Sequence, residues 1–326
     1  MLEEDIRPSN IFDHFLELAD LDIKEFFLDE KYEEINCPAC DQEANFAFEK
    51  KTFSYKICPN CLTLFVSPRP RFEAFKLYYT QSRSTKYWSE VFYKNTAIAR
   101  REKIWKPKAN SIFKIINSKF NLKEYEIYDI GGGYGIFAEE FEKISKTKPI
   151  IIEPSNDLAE ASRSKGFHVI QKFLEEINKS DLSHLPKVFV NFELFEHLHD
   201  PAKFLKILFE LLDSGDILIF TTLSSIGLDI QILWEKSKSV YPPHHLNFFN
   251  PISIRSLLRN IGFDEIEVST PGELDLDILS KNRDQITDRF WTTFLKFSDE
   301  RRLEETQKFI SQNLMSSHMM IACIKP

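Results

Sequence analysis

The chain has 326 residues, of which 28% are charged and 43% hydrophobic, and its formal net charge is −8. This is ordinary globular composition, long enough for one medium core plus a smaller module. The negative balance argues against a general nucleic-acid binder, and no apolar stretch approaches the roughly 18 residues a membrane span requires.

The opening, Met1-Leu2-Glu3-Glu4-Asp5, is acidic and lacks the basic start and apolar core of a signal peptide, so the expected compartment is the cytoplasm. Residues 1–31 read as an acidic amphipathic helical lead-in. Next come two knuckles, Cys37-Pro38-Ala39-Cys40 and Cys58-Pro59-Asn60-Cys61, separated by 17 residues. Each offers two thiolates from one tight turn, and together they complete a tetrahedron, a strong signal for zinc. Four protein ligands leave no open position, so the expected ion is structural. A disulfide pair is the alternative, disfavoured in an intracellular chain. Alternating strands at 44–48 and 53–57 suggest a zinc ribbon over residues 32–70, closed by Ser67-Pro68-Arg69-Pro70. Cys323, in the last apolar run, is expected to be a core thiol.

Residues 71–122 read as a helical linker or lid. From Arg83 to Lys123 there are eleven Lys or Arg and two Glu, with Tyr87, Trp88, Phe92, Tyr93 and Trp105 interleaved. Such a segment is either a solvated face offsetting acidic neighbours or a cationic wall that attracts a phosphorylated substrate.

Strands and helices alternate from residue 123 to the end, which implies an α/β domain with a mostly parallel sheet. Strands are expected at 126–130, 150–153, 167–170, 188–192, 216–221, 265–269 and 318–324. A helical insertion is expected at about 271–317. The first strand runs into Asp129-Ile130-Gly131-Gly132-Gly133-Tyr134-Gly135, and Glu153 closes the second. Glycine admits positive φ and lets a backbone approach a ligand. The following helix aims its N-terminus at the turn. A carboxylate ending the second strand suits two ribose hydroxyls. These features describe a nucleoside pocket built from Asp129, Gly131, Gly133, Gly135 and Glu153. A dinucleotide turn reads G-x-G-x-x-G. Here the glycines alternate behind an acid, which suits a ligand without phosphates and with a positive centre. S-adenosylmethionine fits that description better than NAD. Phe173, after the third strand, and Glu193, after the fourth, are placed with the cofactor residues.

Two more clusters face the same crevice, outside the carboxyl ends of the strands. Glu193-Leu194-Phe195-Glu196-His197-Leu198-His199-Asp200-Pro201 follows strand four, and Tyr241-Pro242-Pro243-His244-His245-Leu246-Asn247-Phe248-Phe249 follows strand five. Asp200-Pro201 is also a good helix start, so part of this polarity could be structural. His14, His168 and His184 read as surface or core residues.

The D-x-G-x-G-x-G turn resembles the first motif of class I S-adenosylmethionine-dependent methyltransferases. The E-x-x-E-H-x-x-D-P and H-H-L-N-F-F strings and the C-x-x-C ribbon narrow the resemblance. They are similar to a bacterial group of zinc-ribbon methyltransferases of sugar and secondary pathways. Thr270-Pro271-Gly272-Glu273-Leu274-Asp275-Leu276-Asp277 and Ser316-Ser317-His318-Met319 also match that group. The resemblance covers residue 32 to the end. It implies a Rossmann-like seven-stranded sheet with the last strand antiparallel, and methyl transfer to a small acceptor such as a sugar nucleotide or related phosphorylated metabolite. Gly132 stands where a cysteine is common, and strand four lacks the usual acid near its start, where Val188 and Phe189 stand.

Related sugar C-methyltransferases imply His197 as general base, supported by Glu196, with His245 in the same pocket. Metal-assisted RNA and quinone-type O-methyltransferases with a similar string imply instead a second divalent ion at Glu193, Glu196, His197 and His245. Two carboxylates plus imidazoles suit Mg²⁺, Mn²⁺ or Zn²⁺. A non-catalytic cofactor-binding protein is a third possibility, disfavoured by the intact glycine turn and Glu153.

Overall fold

The computed structural model describes residues 1–326, the side chain of Lys119 excepted. The chain opens with helices α1 (Glu3–Ile6) and α2 (Ser9–Phe26). Five short strands follow: β1 (Tyr32–Glu33), β2 (Asn45–Lys50), β3 (Phe53–Ile57), β4 (Leu64–Val66) and β5 (Arg69–Pro70). Helix α3 (Phe72–Gln81) leads to α4 (Arg83–Tyr87), α5 (Tyr93–Arg100) and α6 (Lys106–Lys114). Wider π-helical turns, Trp88–Phe92, Arg101–Trp105 and Ile115–Phe120, interrupt this run. Such turns rotate the side chains that follow them and are frequent at functional sites.

The second half alternates as expected. Strand β6 (Glu126–Ile130) is followed by α7 (Ile136–Ser145), β7 (Ile150–Ile152), α8 (Asn156–Ser164), β8 (Val169–Ile170) and β9 (Lys187–Asn191). Then come α9 (Pro201–Leu211), β10 (Ile217–Leu223), α10 (Leu228–Leu233), β11 (Asn247–Phe248), α11 (Pro251–Ile261) and β12 (Asp264–Ser269). The chain ends with α12 (Asp275–Lys281), α13 (Arg289–Phe297), α14 (Glu300–Gln312) and β13 (His318–Ile324). Local chemistry explains several starts. Asp200 accepts the Lys203 N–H at 2.9 Å ahead of Pro201, and Asn250 caps α11 ahead of Pro251 in the same way. Gly262, at φ 120°, ends α11 in a conformation that favours glycine.

Seven strands form one sheet in the order β12-β13-β10-β9-β6-β7-β8. Strands β6 to β10 pair in parallel, while β13 runs antiparallel to both β10 and β12. This is the Rossmann-like methyltransferase sheet. Every residue of β9 and β10 is buried, as expected of strands covered on both faces. Ile127, Val188, Val190 and Ile219 pack with Ile112 of α6 and Phe141 of α7. Tyr128, Phe189, Leu218 and Phe220 point the other way, toward α9 and α11. Strand order reverses between β6 and β9, which opens a crevice at their carboxyl ends.

The cysteine module is stitched to this sheet. Strand β11 pairs with β4, Asn247 opposite Phe65, making a four-stranded sheet β11-β4-β3-β2. Cys37, Cys58, Cys61 and Phe65 share one buried cluster with Phe249 and Ile254. The sequence pattern does not reveal β11, because a two-residue strand carries no periodicity.

Candidate active site

The glycine turn lies between β6 and α7. Gly131, Gly133 and Gly135 have φ of 69°, 55° and 68°, the left-handed region open to glycine at little cost. A Cβ added at Gly133 would meet only the Gly131 carbonyl oxygen, at 4.0 Å. That face of the turn is therefore a cradle that a side chain would fill. At Gly132 a Cβ would fall 2.7 Å from Asp129 Oδ2. Cysteine there would require the carboxyl to move.

Two acids line the turn. Glu153, 6% exposed, accepts the Gly133 N–H at 3.1 Å and the Ser155 N–H at 2.9 Å. Burial raises its pKa. Asp129 is buried below the turn, and its Oδ2 has no hydrogen-bond partner. Burial first, then the charge of Glu153, pushes its pKa up to about 8. Phe173 stands at the end of β8, 45% exposed.

The second cluster sits at the carboxyl end of β9. Glu193 adopts φ 53°, a conformation costing a non-glycine residue about 1 kcal/mol. Its Oε1 accepts Lys108 Nζ at 3.0 Å and Thr221 Oγ1 at 3.1 Å, and His318 Nε2 lies 2.9 Å away. Burial opposes its ionisation, but Lys108 and His318 outweigh that and hold the carboxyl well below its usual range. Lys108 lies over the Trp105 and Phe192 rings. Neither Lys108 nor His318 is among the site residues expected from sequence, although His318 lies in one of the strings that resemble the family. Lys108 is one of eleven cations in its stretch, and His318 reaches the crevice only because β13 pairs with β10, setting it opposite Leu223.

Glu196, His197 and His245 form the third group. One ligand atom from each lies within 4.8 Å of the others. Glu196 is 1% exposed. Burial first, then the Glu193 charge, raises its carboxyl to about 8. The His197 and His245 rings are 4.8 Å apart. Loss of water lowers His197 to about 4 and His245 to about 3. Both imidazoles are therefore neutral at pH 7, and His197 Nδ1 has no partner. His245 Nδ1 lies 2.5 Å from the Ser239 carbonyl. The ribbon holds this loop in place: Tyr55 donates to the His245 carbonyl at 2.7 Å. The Leu246 N–H in turn donates to the Glu196 carbonyl at 2.9 Å. Glu193 is drawn toward Lys108 and stands outside this three-residue group.

The four ribbon thiols also converge. Cys37 Sγ lies 3.5 Å from Cys61 Sγ, Cys40 Sγ 3.5 Å from Cys58 Sγ, and Cys40 Sγ 3.6 Å from Cys61 Sγ. A disulfide needs about 2.05 Å, whereas thiolates around one tetrahedral zinc stand about 3.8 Å apart. The arrangement could hold one metal ion. Cys323 is buried in β13.

A family model described as a methyltransferase domain matches residues 87–268. The chain belongs to the class I S-adenosylmethionine-dependent methyltransferases. This methyltransferase is similar in fold to the plantazolicin methyltransferase BamL, solved with SAH and a triazolic desmethylPZN analog. The identity is 16% and the TM-score 0.51, over 77% of this chain and 93% of that one. A possible histamine N-methyltransferase from Thermotoga maritima shares 18% identity over 72% of this chain and 98% of that one, at a TM-score of 0.45. A SAM-dependent methyltransferase from Archaeoglobus fulgidus shares 17% over 69% and 94%, at 0.47. Among curated proteins, none matches the methyltransferase in sequence. No described helix is long and apolar enough to cross a membrane.

Proposed function

We propose that the protein methylates a small phosphorylated acceptor, such as a sugar nucleotide, with His197 as the proton acceptor. S-adenosylmethionine supplies the electrophilic methyl group, carried on a positive sulfur. Gly131, Gly133 and Gly135 would let the backbone close on the adenosine, with the open face at Gly133 as its seat. Glu153, already accepting one turn N–H, would take the ribose hydroxyls, and Phe173 would offer a ring face to the base. Asp129 would support the turn from beneath. Glu193, fixed by Lys108 and His318, would receive the cationic end of the cofactor.

The observation that carries the chemistry is the bare Nδ1 of His197. That nitrogen is buried and its imidazole neutral, so it can take a proton only from an acceptor that reaches into the pocket. With S-adenosylmethionine bound as methyl donor and released as SAH, His197 would take the acceptor's proton at that nitrogen. Glu196, neutral at pH 7, and His245 would shape the pocket around it. The structural zinc we infer at Cys37, Cys40, Cys58 and Cys61 would stiffen the ribbon that fixes the His245 loop.

A second reading rests on the 4.8 Å grouping of Glu196, His197 and His245. One carboxylate and two imidazoles fit a divalent ion that would lower the pKa of an acceptor hydroxyl. A labelled-methyl assay against nucleotide sugars, phosphorylated lipids and RNA tests the acceptor class. Activity that survives chelation of every ion except the ribbon zinc would eliminate the second reading.

A further inference from the structure

Five of the eleven cations of the basic stretch make ion pairs among the described residues of the folded chain. Arg83 pairs with Asp22 and Glu25, Arg101 with Glu139 and Glu140, Lys103 with Asp5, Lys106 with Glu102, and Lys108 with Glu193. Arg100 differs. It is 7% exposed, and its guanidinium makes no ion pair among the described residues. Its Nε has no hydrogen-bond partner, and the same holds for Nε of Arg7, the residue that ends α1.

A buried cation without a counter-charge is costly. Aromatic rings rather than carboxylates face these two guanidinium groups. The Arg100 guanidinium lies 5.8 Å from the Tyr93 ring centroid and 6.0 Å from that of Trp88. Arg7 lies 5.6 Å from the centroid of Phe12. Phe12, Phe15 and Phe92 form one buried cluster with Trp88 against it, and α1 packs on α5. Burial lowers the pKa of Arg100 most; Tyr93 and the more distant Glu193 oppose that, and the nearby charge of Arg7 adds to it.

Their surroundings are those of the active site. Tyr93 stacks on Tyr134 of the glycine turn at 4.9 Å. Phe15 stands 5.0 Å from His244, which neighbours His197 at 6.3 Å. Packed rings therefore link Arg100 to the glycine turn and Arg7 to the histidine cluster.

We propose that Arg7 and Arg100 form a two-guanidinium clamp for an oxyanion, a carboxylate or phosphate that enters the crevice with its ligand. The clamp rests on the reading of this crevice as the cofactor and acceptor pocket. Guanidinium forks match planar and tetrahedral oxyanions in two-point contacts. Two ligands could bring the anion: the acceptor, through a phosphate, or the cofactor, through its amino-acid carboxylate. Arg7 packs on Phe12, in the same cluster as Phe15, which meets His244, and this nearness to the histidines favours the acceptor.

The test is calorimetry on the full chain, comparing wild type with Arg7→Gln and Arg100→Met. The probes are SAH, 5′-methylthioadenosine (which lacks the carboxylate), and inorganic pyrophosphate added to the SAH-bound protein. For an acceptor anion, both variants lose about tenfold or more in pyrophosphate affinity while SAH binding stays within about twofold. For a cofactor carboxylate, the variants weaken SAH about tenfold and leave methylthioadenosine unchanged. The clamp stands in either case. It is overturned if neither variant alters SAH or pyrophosphate binding, or if wild type ignores pyrophosphate and the variants bind SAH normally. Ligand-free Arg100→Met is expected to melt no lower than wild type, since it removes a buried cation that has no ion pair and keeps the contact with the rings. A lower melting temperature with unchanged binding would make Arg100 a packing residue and overturn the clamp. Should Arg100→Met fail to fold, Arg7→Gln, which is only partly buried, carries the comparison. Binding is read without turnover, so a failure to methylate phosphorylated acceptors is a separate result.

Discussion

Lys108 Nζ donates to Glu193 Oε1 at 3.0 Å, linking the helical linker to the end of β9 across 85 residues of sequence. Lys108 has 5% of its side chain exposed and Glu193 32%. The pair ties the basic segment directly to the site.

Lys108→Met should therefore destabilise the protein at pH 7 by about 2 kcal/mol, the usual scale for a charged hydrogen bond lost at a partly exposed carboxylate. The pH dependence follows from the lowered carboxyl of Glu193. A depressed folded-state pKa contributes stability above the unfolded value of about 4.3. That contribution is lost as pH falls through the folded value. Urea melts of both proteins at pH 7 and pH 3 check this: the gap should narrow in acid. Equal stability at both pH values would mean the ion pair is idle.

His197 is lowered to about 4, and its role as base makes two demands. His197→Ala should cut kcat by about 10² to 10⁴, the range for a positioned base, with SAH affinity nearly unchanged. In wild type, kcat/KM should show no imidazole inflection near pH 6.5 and should fall only as pH drops toward 4. Stability follows the same sign. A histidine lowered in the folded state supports folding above about pH 6.5 and loses that support as pH falls through its folded value. An inflection at pH 6.5 that disappears in His197→Ala would show a solvated imidazole instead.

Metal removal should reach the active site through β11. The pairing of Asn247 with Phe65 and the Tyr55 bond to the His245 carbonyl fasten the histidine loop to the ribbon. Cys40→Ser, or stripping the ion with a strong chelator, should lower the melting temperature and reduce methyl transfer together. The readouts are elemental analysis, thermal melting and the labelled-methyl assay on the same samples. Full activity in zinc-free protein would separate the ribbon from the catalytic loop.

Much of the fold is legible because the core strands are apolar runs bounded by turn residues. The boundaries of β6 and β13 agree with expectation residue for residue. The knuckles are legible because each C-x-x-C turn presents two thiols together whatever surrounds it. Glu153 and the glycine turn can be matched because both end adjacent parallel strands. The rest depends on contacts remote in sequence. Arg7 follows α1 while Arg100 lies in α5, Lys108 is one of eleven cations in its stretch, and His318 enters through an antiparallel strand. The grouping of Glu196 with His245 depends on a loop that the ribbon holds. Glu193, expected beside a second ion, is instead claimed by Lys108, a competition that local sequence does not encode.

The central claim is that the crevice over Gly133 and Glu153 holds the adenosine of the cofactor. Calorimetry of wild type, Gly133→Val and Glu153→Ala against SAH and NADH tests it most directly. The expected result is one SAH per chain, no NADH binding, and at least about a tenfold loss of SAH affinity in each variant. A wild-type chain that binds NADH and not SAH, or variants that bind SAH as tightly as wild type, would contradict it.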